Sequence, residues 1–173
     1  AYAGHPIATI AHLLPEEIFF LLLMGRLPEP IEKETLLREV AERSGRIKRE
    51  ALVSTLRAMP RETDPMGLFV SGLMVLGGAS AFAKSYPTTH KKLLWQPALD
   101  DALTLIAQVG EVGAVIWGLM NGEDGEVPLS EADDLGARLA DMLDPTGGDA
   151  LRDLIRRHLV LHADHESGNV SAF

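Results

Sequence analysis

The stretch WQPALDDALTLIAQVGEVGAVIWGLM, residues Trp95–Met120, decides the fold class of this chain. Apolar positions alternate along it with the polar residues Gln108 and Glu111, and this pattern predicts one long helix with a bend near Gly110 or Gly113. On either side of it the sequence contains no confident strand, no internal repeat and no low-complexity tract. We therefore predict an all-α fold.

Shorter helices are predicted on both sides of this stretch. Pro15, Glu16 and Glu17 suit a helix start, because proline fits the first helical position and the helix dipole favours negative charge there. Gly25 is a typical helix end, and Ser130 opens a further helix with a capping-box-like sequence. The predicted helices cover residues 15–24, 32–43, 47–59, 66–83, 95–120, 130–143 and 149–161.

The longest uncharged stretch covers residues 65–83, and its length approaches that of a membrane-spanning helix. Its glycines and serines, and the absence of a second comparable segment, favour a different interpretation. Small residues let two backbones approach closely, so this helix is expected at the centre of a domain or in a contact between subunits. We therefore predict no membrane span.

Composition narrows the classes of function. The chain has 173 residues and a formal net charge of −9, which argues against nucleic acid as a partner because a phosphate backbone selects a basic surface. It contains no cysteine, which excludes disulfides, a thiolate nucleophile and a Cys-ligated metal site. The chain lacks an initiator methionine and stops where an apolar run begins, so we expect it to be an internal fragment of a longer protein.

The densest polar cluster lies in residues 161–171. Two histidines, an aspartate and a glutamate could ligate a metal, but His162 and His165 lack the H-E-x-x-H spacing of a metalloprotease. No G-x-S-x-G sequence surrounds Ser167 or Ser171, which argues against a serine nucleophile. Composition alone leaves two interpretations open: polar side chains that cap a helix end, or an anion or carboxylate site with His, Asn and Ser as donors.

The sequence HADHESGNVSA, residues 162–172, closely resembles the H-x-D-H-E-x-x-N-x-S signature of citrate synthases, in the Gly-Asn-Val-Ser form of the mitochondrial enzymes. Three segments earlier in the chain also resemble sequences of this family and occur in the same order as in it. Residues 2–7 resemble the family's R-G-Y-x-I sequence with Ala3 in place of Arg, residues 14–28 resemble its P-E-x-x-x-x-L-L-x-x-G-x-x-P sequence, and residues 64–66 resemble the start of its H-P-M helix. The resemblance covers essentially the whole chain.

The resemblance implies that the full-length protein condenses acetyl-CoA, its co-substrate, with oxaloacetate and water to give citrate and CoA, without a tightly bound cofactor or metal. Within the signature, His165 would donate to oxaloacetate or citrate and Asn169 would shape the same pocket. Ser171 would orient the catalytic histidine. The matched residues His162, Asp164 and Glu166 are expected to be structural.

The resemblance also implies what the chain leaves out. The family's catalytic His, its Asp base and the small domain that closes over CoA lie beyond residue 173, so we expect part of a large helical domain that is inactive alone. The family pattern further implies a homodimer formed through the helix over residues 66–83, with Gly72 at the contact. Two alternatives stay open: a 2-methylcitrate synthase, or a non-catalytic structural subunit. The expected compartment is the mitochondrial matrix or the cytoplasm.

Overall fold

The computed structural model describes residues 1–128 and 130–163, which divide into two compact units. One unit contains Ala1–Ala41 and the described residues from Pro128 onward, and the other contains Glu42–Val127. Between residues 1 and 163 the described chain is helical, with one isolated bridge between Tyr2 and His5, so the all-α prediction is confirmed. The helices are α1 Ile7–Ile10, α2 Pro15–Met24, α3 Pro30–Ser44, α4 Arg49–Arg57, α5 Pro65–Gly77, α6 Ala81–Ser85, a 3-10 turn Lys91–Leu93, α7 Trp95–Met120, α8 Leu135–Leu143 and α9 Gly148–Leu161.

The first unit is built on the packing of α8 against α9, with α2 against both. Gly136 permits the close approach, because a Cβ atom there would lie 2.5 Å from Cγ and 3.0 Å from Cα of Arg156. The start of α8 therefore lies beside the last turns of α9, and the two helices run antiparallel. The apolar core of this unit consists of Tyr2, Ile10, Ile18, Leu21 and Val160.

The second unit packs α5 against α4 and α7, and α6 against α7. Gly72 lies inside this packing: a Cβ atom there would be 2.4 Å from Cγ1 of Val112 and 3.4 Å from Cδ1 of Leu52. The expectation that Gly72 lies at a subunit contact is therefore wrong, because its surface is already covered by the core of its own unit.

Helix α7 has the predicted bounds and continues without a break through Gly110 and Gly113. Gln108 and Glu111, the polar residues within its apolar pattern, are both buried, and each has a hydrogen-bond partner. Gln108 donates to the backbone carbonyl of Arg43 at 2.9 Å, and Glu111 accepts from Arg49. The segment Lys91–Met120 is apolar and long enough to cross a membrane by length and composition, but half of its most apolar part is buried in the protein. A buried core helix has the same properties, so they are weak evidence for a span.

Two predicted helices differ from the observed ones by more than two residues at one end. The helix expected over residues 66–83 is interrupted after Gly77, and α6 begins at Ala81 with Ser80 as its N-cap. Asp101 on α7 also binds the backbone N–H groups of Ala81 and Phe82, at 2.7 and 3.0 Å. The helix expected from Ser130 begins instead at Leu135 with Asp134 as its N-cap.

Ser130 has another role in the structure. Its hydroxyl accepts from the Ala132 N–H at 3.2 Å and donates to the Asp141 carboxylate at 2.8 Å. The hydroxyl therefore ties the segment before α8 to α8 itself, rather than capping a longer helix.

Candidate functional site

The predicted substrate-binding residues lie just beyond the C-terminus of α9. His165, Asn169 and Ser171 fall outside the described residues, as do Asp164 and Glu166. His162 is described and follows the last residue of α9. The part of the signature that the structure describes is therefore His162 and Ala163.

Tyr2 joins the N-terminal segment to this helix end. Its side chain is fully buried, and its hydroxyl lies 2.9 Å from the backbone carbonyl oxygens of both Val160 and Leu161. Two of the segments that carry the family resemblance, residues 2–7 and the start of 162–172, are thus brought together although they are far apart in the sequence.

A tight turn presents Tyr2 to the helix. The N–H of Tyr2 donates to the carbonyl of His5 at 3.0 Å, and the reverse bond measures 2.8 Å. The two residues between them are left-handed, with φ of 44° at Ala3 and 86° at Gly4. Glycine adopts this conformation freely, whereas alanine at Ala3 is strained by its Cβ atom.

His162 interacts with the end of its own helix. Its ring Nδ1 lies 2.8 Å from the carbonyl oxygen of His158, and its backbone N–H donates to the same oxygen at 3.2 Å. The two imidazole rings are 4.2 Å apart between centroids and tilted by 32°. The histidine that opens the signature therefore helps to terminate α9.

A second buried polar contact joins α2 to the start of α8. Glu16, which is 2% exposed, accepts from the N–H of Leu135 at 2.7 Å and so reaches the first residue of α8. Its second carboxylate oxygen, Oε2, has no hydrogen-bond partner among the described residues. Burial raises the pKa of Glu16 to about 7, against the lowering effect of the Leu135 hydrogen bond, and the neighbouring Asp134 and Glu17 add to the rise.

The adjacent carboxylate of Asp134 is bound by a guanidinium group. Arg156 of α9 donates to both its oxygens, at 3.0 and 2.7 Å, and the N–H of Ala137 donates at 2.9 Å. Burial acts to raise the pKa of Asp134, but these hydrogen bonds outweigh it and hold the pKa below its usual range. Asp134 and Arg156 therefore form an ionised pair that links α8 to α9.

Sequence reasoning missed both of these groups. Glu16 and Glu17 both lie in the first turn of α2, as predicted. Their hydrogen bonds differ, because Glu17 accepts from the Leu14 N–H at 2.9 Å whereas Glu16 accepts from the Leu135 N–H. No local signal distinguishes them, because the partner of Glu16 lies 119 positions further along the chain. Among residues 1–128 and 130–163 no group of three or more His, Asp or Glu side chains could hold a metal ion.

The second unit contains a cavity of about 460 Å³ between α5 and α7. Leucines form much of its apolar wall, and its lining includes Asp100 and Asp101. Both carboxylates have partners within the second unit, since Asp100 pairs with Arg43 at 2.7 Å and Asp101 accepts from Ser80, Ala81 and Phe82. Neither carboxylate is therefore left to bind a ligand in this cavity.

Comparison with known proteins identifies the fold and then the family. The crystal structure of citrate synthase from Pyrobaculum aerophilum matches with a TM-score of 0.79 at 25% identity, over 95% of this chain and 41% of that one. The family model described as citrate synthase, C-terminal domain, matches residues 1–173. This chain belongs to the citrate synthase family.

Individual relatives carry two related names. The mitochondrial citrate synthase of Solanum tuberosum is 36% identical over 160 residues, which are 92% of this chain and 34% of that protein. The mitochondrial 2-methylcitrate synthase of Gibberella moniliformis is 35% identical over 170 residues, 95% of this chain and 35% of that protein. The chain thus spans about a third of the length of these relatives.

Proposed function

We propose that the full-length protein containing this chain is a citrate synthase, and that residues 1–173 are part of its large helical domain. The observation that carries the proposal is the family match over the entire chain, together with the intact signature at residues 162–172. The contact of Tyr2 with α9 supports it, because it places a second family segment beside the start of that signature.

The proposed reaction needs a base and hydrogen-bond donors. A carboxylate removes a methyl proton from acetyl-CoA, the resulting enolate carbon attacks the ketone carbon of oxaloacetate, and the ketone oxygen takes up a proton. Water then hydrolyses the thioester and releases citrate and the CoA thiol. Donors aimed at the oxygens that gain charge lower the barrier.

Within this chain, His165 and Asn169 are the proposed donors to oxaloacetate. Ser171 is proposed to act on a catalytic histidine through a hydrogen bond, as the family resemblance implies. The carboxylate base and that histidine are proposed to lie in the part of the family pattern beyond residue 173, and acetyl-CoA is a co-substrate rather than a bound cofactor.

A 2-methylcitrate synthase is the second candidate. The observation that favours it is the identity of 35% to the Gibberella moniliformis protein, which lies within one percentage point of the 36% to the Solanum tuberosum citrate synthase. Such an enzyme would use propionyl-CoA, whose acyl group is larger by one methylene. One methylene changes kcat/KM by roughly 10- to 200-fold, so the two candidates are separable by kinetics.

The deciding experiment is a thiol-release assay on the protein at its natural length, with oxaloacetate and either acetyl-CoA or propionyl-CoA. The higher kcat/KM names the acyl donor, and turnover with neither would support the non-catalytic structural subunit instead. The variant His165→Ala should lose roughly a hundredfold in kcat/KM for oxaloacetate, because it removes a donor to the substrate. The matched control His12→Ala changes an exposed histidine outside the signature and should leave the rate unchanged.

A homodimer is proposed to form on the outer face of α5. Met66, Val70 and Met74 recur there at four-residue spacing and are 65%, 55% and 73% exposed, on the side opposite the buried Gly72. The family resemblance places the subunit contact on this helix, and exposed apolar side chains favour such a contact.

The proposed compartment is the mitochondrial matrix or the cytoplasm. The plant and fungal relatives are named mitochondrial, which favours the matrix in an organism that has mitochondria. Fractionation of cells with an antibody to the protein would decide between the two.

A further inference from the structure

We propose that Asn121 is a site of spontaneous covalent modification: when the end of α7 opens, the backbone nitrogen of Gly122 attacks the Asn121 side-chain amide, which becomes aspartate or isoaspartate. The site lies in the second unit and takes no part in the proposed binding of substrate. The inference therefore does not depend on which reaction the full-length protein catalyses.

The surroundings of this amide leave it open to attack. Asn121 is exposed and follows the last residue of α7, and Gly122 after it is exposed as well. A Cβ atom built on Gly122 would meet no heavy atom within 4 Å beyond its chain neighbours, so this position is open and no side chain of its own covers the backbone nitrogen. The Gly122 N–H donates to the carbonyl of Leu119 at 3.3 Å, which is long for such a bond and holds the proton weakly.

The reaction needs no partner other than water. The Gly122 nitrogen gives up its proton and forms a bond to Cγ of Asn121, the Cγ–Nδ2 bond breaks, and the amide nitrogen takes up a proton and leaves as ammonia. The product is a cyclic succinimide. Water then adds to one of its two carbonyl carbons and a C–N bond breaks, which gives aspartate, or isoaspartate when the backbone afterwards runs through the side-chain carbon. Because the attack requires the deprotonated nitrogen, base accelerates it.

The folded conformation slows this reaction. With ψ of 4° at Asn121, the Gly122 nitrogen is rotated away from the side-chain carbon, and the peptide unit must turn before the two atoms can meet. The side chain is also held, since its Nδ2 donates to the Trp117 carbonyl at 2.8 Å. Both restraints are lost when the last turn of α7 opens, and helix ends with exposed hydrogen bonds open most readily. The rate of conversion is therefore set by how often this helix end opens.

Conversion removes a donor that the helix end uses. A carboxylate can only accept, so it cannot bind the Trp117 carbonyl, and two acceptors then face each other. It also places a negative charge at the helix C-terminus, where the macrodipole is negative and where the exposed Glu123 and Asp124 already lie. Isoaspartate adds a carbon to the backbone, which displaces the Glu123 N–H from the Gly118 carbonyl that it binds at 2.9 Å. Either product therefore weakens this end of α7.

The damage extends to the loop that follows. This loop packs closely on α7, since a Cβ atom at Gly118 would lie 3.4 Å from the carbonyl oxygen of Glu126 and 3.5 Å from Cα of Gly125. Arg57 of α4 donates through Nε to the carbonyl of Asp124 in the same loop at 2.6 Å. Opening of the α7 end therefore loosens a contact between α4 and the loop within the second unit.

The test follows Asn121 in the natural-length protein by peptide mapping with mass spectrometry, beside a peptide with the sequence of residues 117–126. We expect both to convert, with the protein slower by about tenfold, because the loss of one helix-end hydrogen bond limits the open population to about a tenth. Both rates should rise from about pH 6 to about pH 8, since the attack needs the deprotonated nitrogen. The matched control Asn121→Gln keeps an amide on a side chain longer by one methylene and should stay unconverted over the same time.

The variant Asn121→Asp tests the consequence. Hydrogen exchange at the amides of Gly122 and Glu123 should be faster by about tenfold than in wild type, in keeping with the loss of one hydrogen bond. An Asn121 amide that stays intact in the protein after the peptide has converted would overturn the inference. Equal rates in protein and peptide would overturn the role of the helix end, and exchange in Asn121→Asp like that of wild type would overturn the effect on the second unit. The two rate measurements use wild type, so they decide the inference even where the variant fails to fold.

Discussion

Replacing Glu16 by glutamine should abolish a pH dependence of stability in the first unit. The Glu16 carboxyl is buried, one oxygen accepts from the Leu135 N–H, and the other has no partner among the described residues. Glutamine keeps the acceptor that faces Leu135 and cannot ionise. It places an unpartnered N–H where a protonated carboxyl places an unpartnered O–H, so the variant resembles the neutral form of the wild type.

The size of the expected change in the free energy of unfolding follows from the pKa of Glu16. Burial raises the pKa of Glu16 from the usual 4.5 to about 7, so the folded state keeps a proton that the unfolded state has lost between these values. Stability contributed by the neutral carboxyl is therefore complete below about pH 4.5 and falls as the pH rises to about 7, where the folded state also ionises. A difference of this size corresponds to about 3 kcal/mol.

The assay is urea unfolding of wild type and Glu16→Gln at about pH 5 and about pH 8, followed by far-ultraviolet circular dichroism. Trp95 and Trp117 both lie in the second unit, so tryptophan fluorescence reports that unit separately. We expect the two free energies of unfolding to differ by less than about 1 kcal/mol at the lower pH, and the variant to be more stable by up to about 3 kcal/mol at the higher pH.

The matched control is Glu50→Gln. Glu50 also occupies the second position of its helix, α4, but it is exposed. The difference in free energy of unfolding between wild type and Glu50→Gln should be the same at both pH values. Parallel pH profiles for wild type and Glu16→Gln would refute the reasoning, since they would mean that Glu16 ionises alike in the folded and unfolded states.

The remaining predictions concern packing, backbone conformation and association. Gly72→Ala should lower the free energy of unfolding by about 1–3 kcal/mol, because the new Cβ atom would lie 2.4 Å from Cγ1 of Val112. The control Gly77→Ala should not lower it, because the space around its new Cβ atom is open. Equal effects of the two substitutions in thermal unfolding would contradict this. Ala3→Gly should stabilise the protein by roughly 1 kcal/mol, since φ at this position is 44°, and a lower melting temperature would count against the strain. Met74→Asp should shift the protein from dimer to monomer in sedimentation velocity with its circular dichroism preserved, and a dimer that persists would exclude this face of α5.

The local sequence pattern was sufficient to predict the bounds of a helix whose ends are set by its own residues. Helix α7 has the bounds predicted from its apolar spacing, and α2 begins at Pro15 and ends before Gly25, whose φ of 72° suits a helix end. The break between α5 and α6 was only partly visible in this way. Ser80 within the stretch is the N-cap of α6, and its hydroxyl accepts from the Ala83 N–H at 2.9 Å. The carboxylate that binds the first N–H groups of α6 belongs to Asp101 on another helix, and the stretch itself does not reveal it.

The candidate site was predictable to a similar degree. The letters of residues 162–172 were enough to name the family, and the family match confirms that prediction. The contacts of Tyr2 and Glu16 were not predictable, because each joins positions more than a hundred residues apart. The small-residue pattern around Gly72 could indicate a subunit contact or internal packing equally well, since either requires a close approach of two helices.

Three long-range interactions of the first unit meet at one end of the α8–α9 pair. Tyr2 binds the last carbonyl groups of α9, Glu16 binds the first N–H of α8, and Arg156 joins α9 to the N-cap of α8. The other end of the pair is joined as well, since Arg152 of α9 donates to both carboxylate oxygens of Asp141 of α8, at 2.8 and 3.1 Å. The two ends differ in where their partners come from. Asp141 takes its donors from α9 and from Ser130, which lies shortly before α8, whereas Tyr2 and Glu16 reach the opposite end from more than a hundred positions away. The long-range polar contacts that hold the pair in the first unit are therefore made where α8 begins and α9 ends.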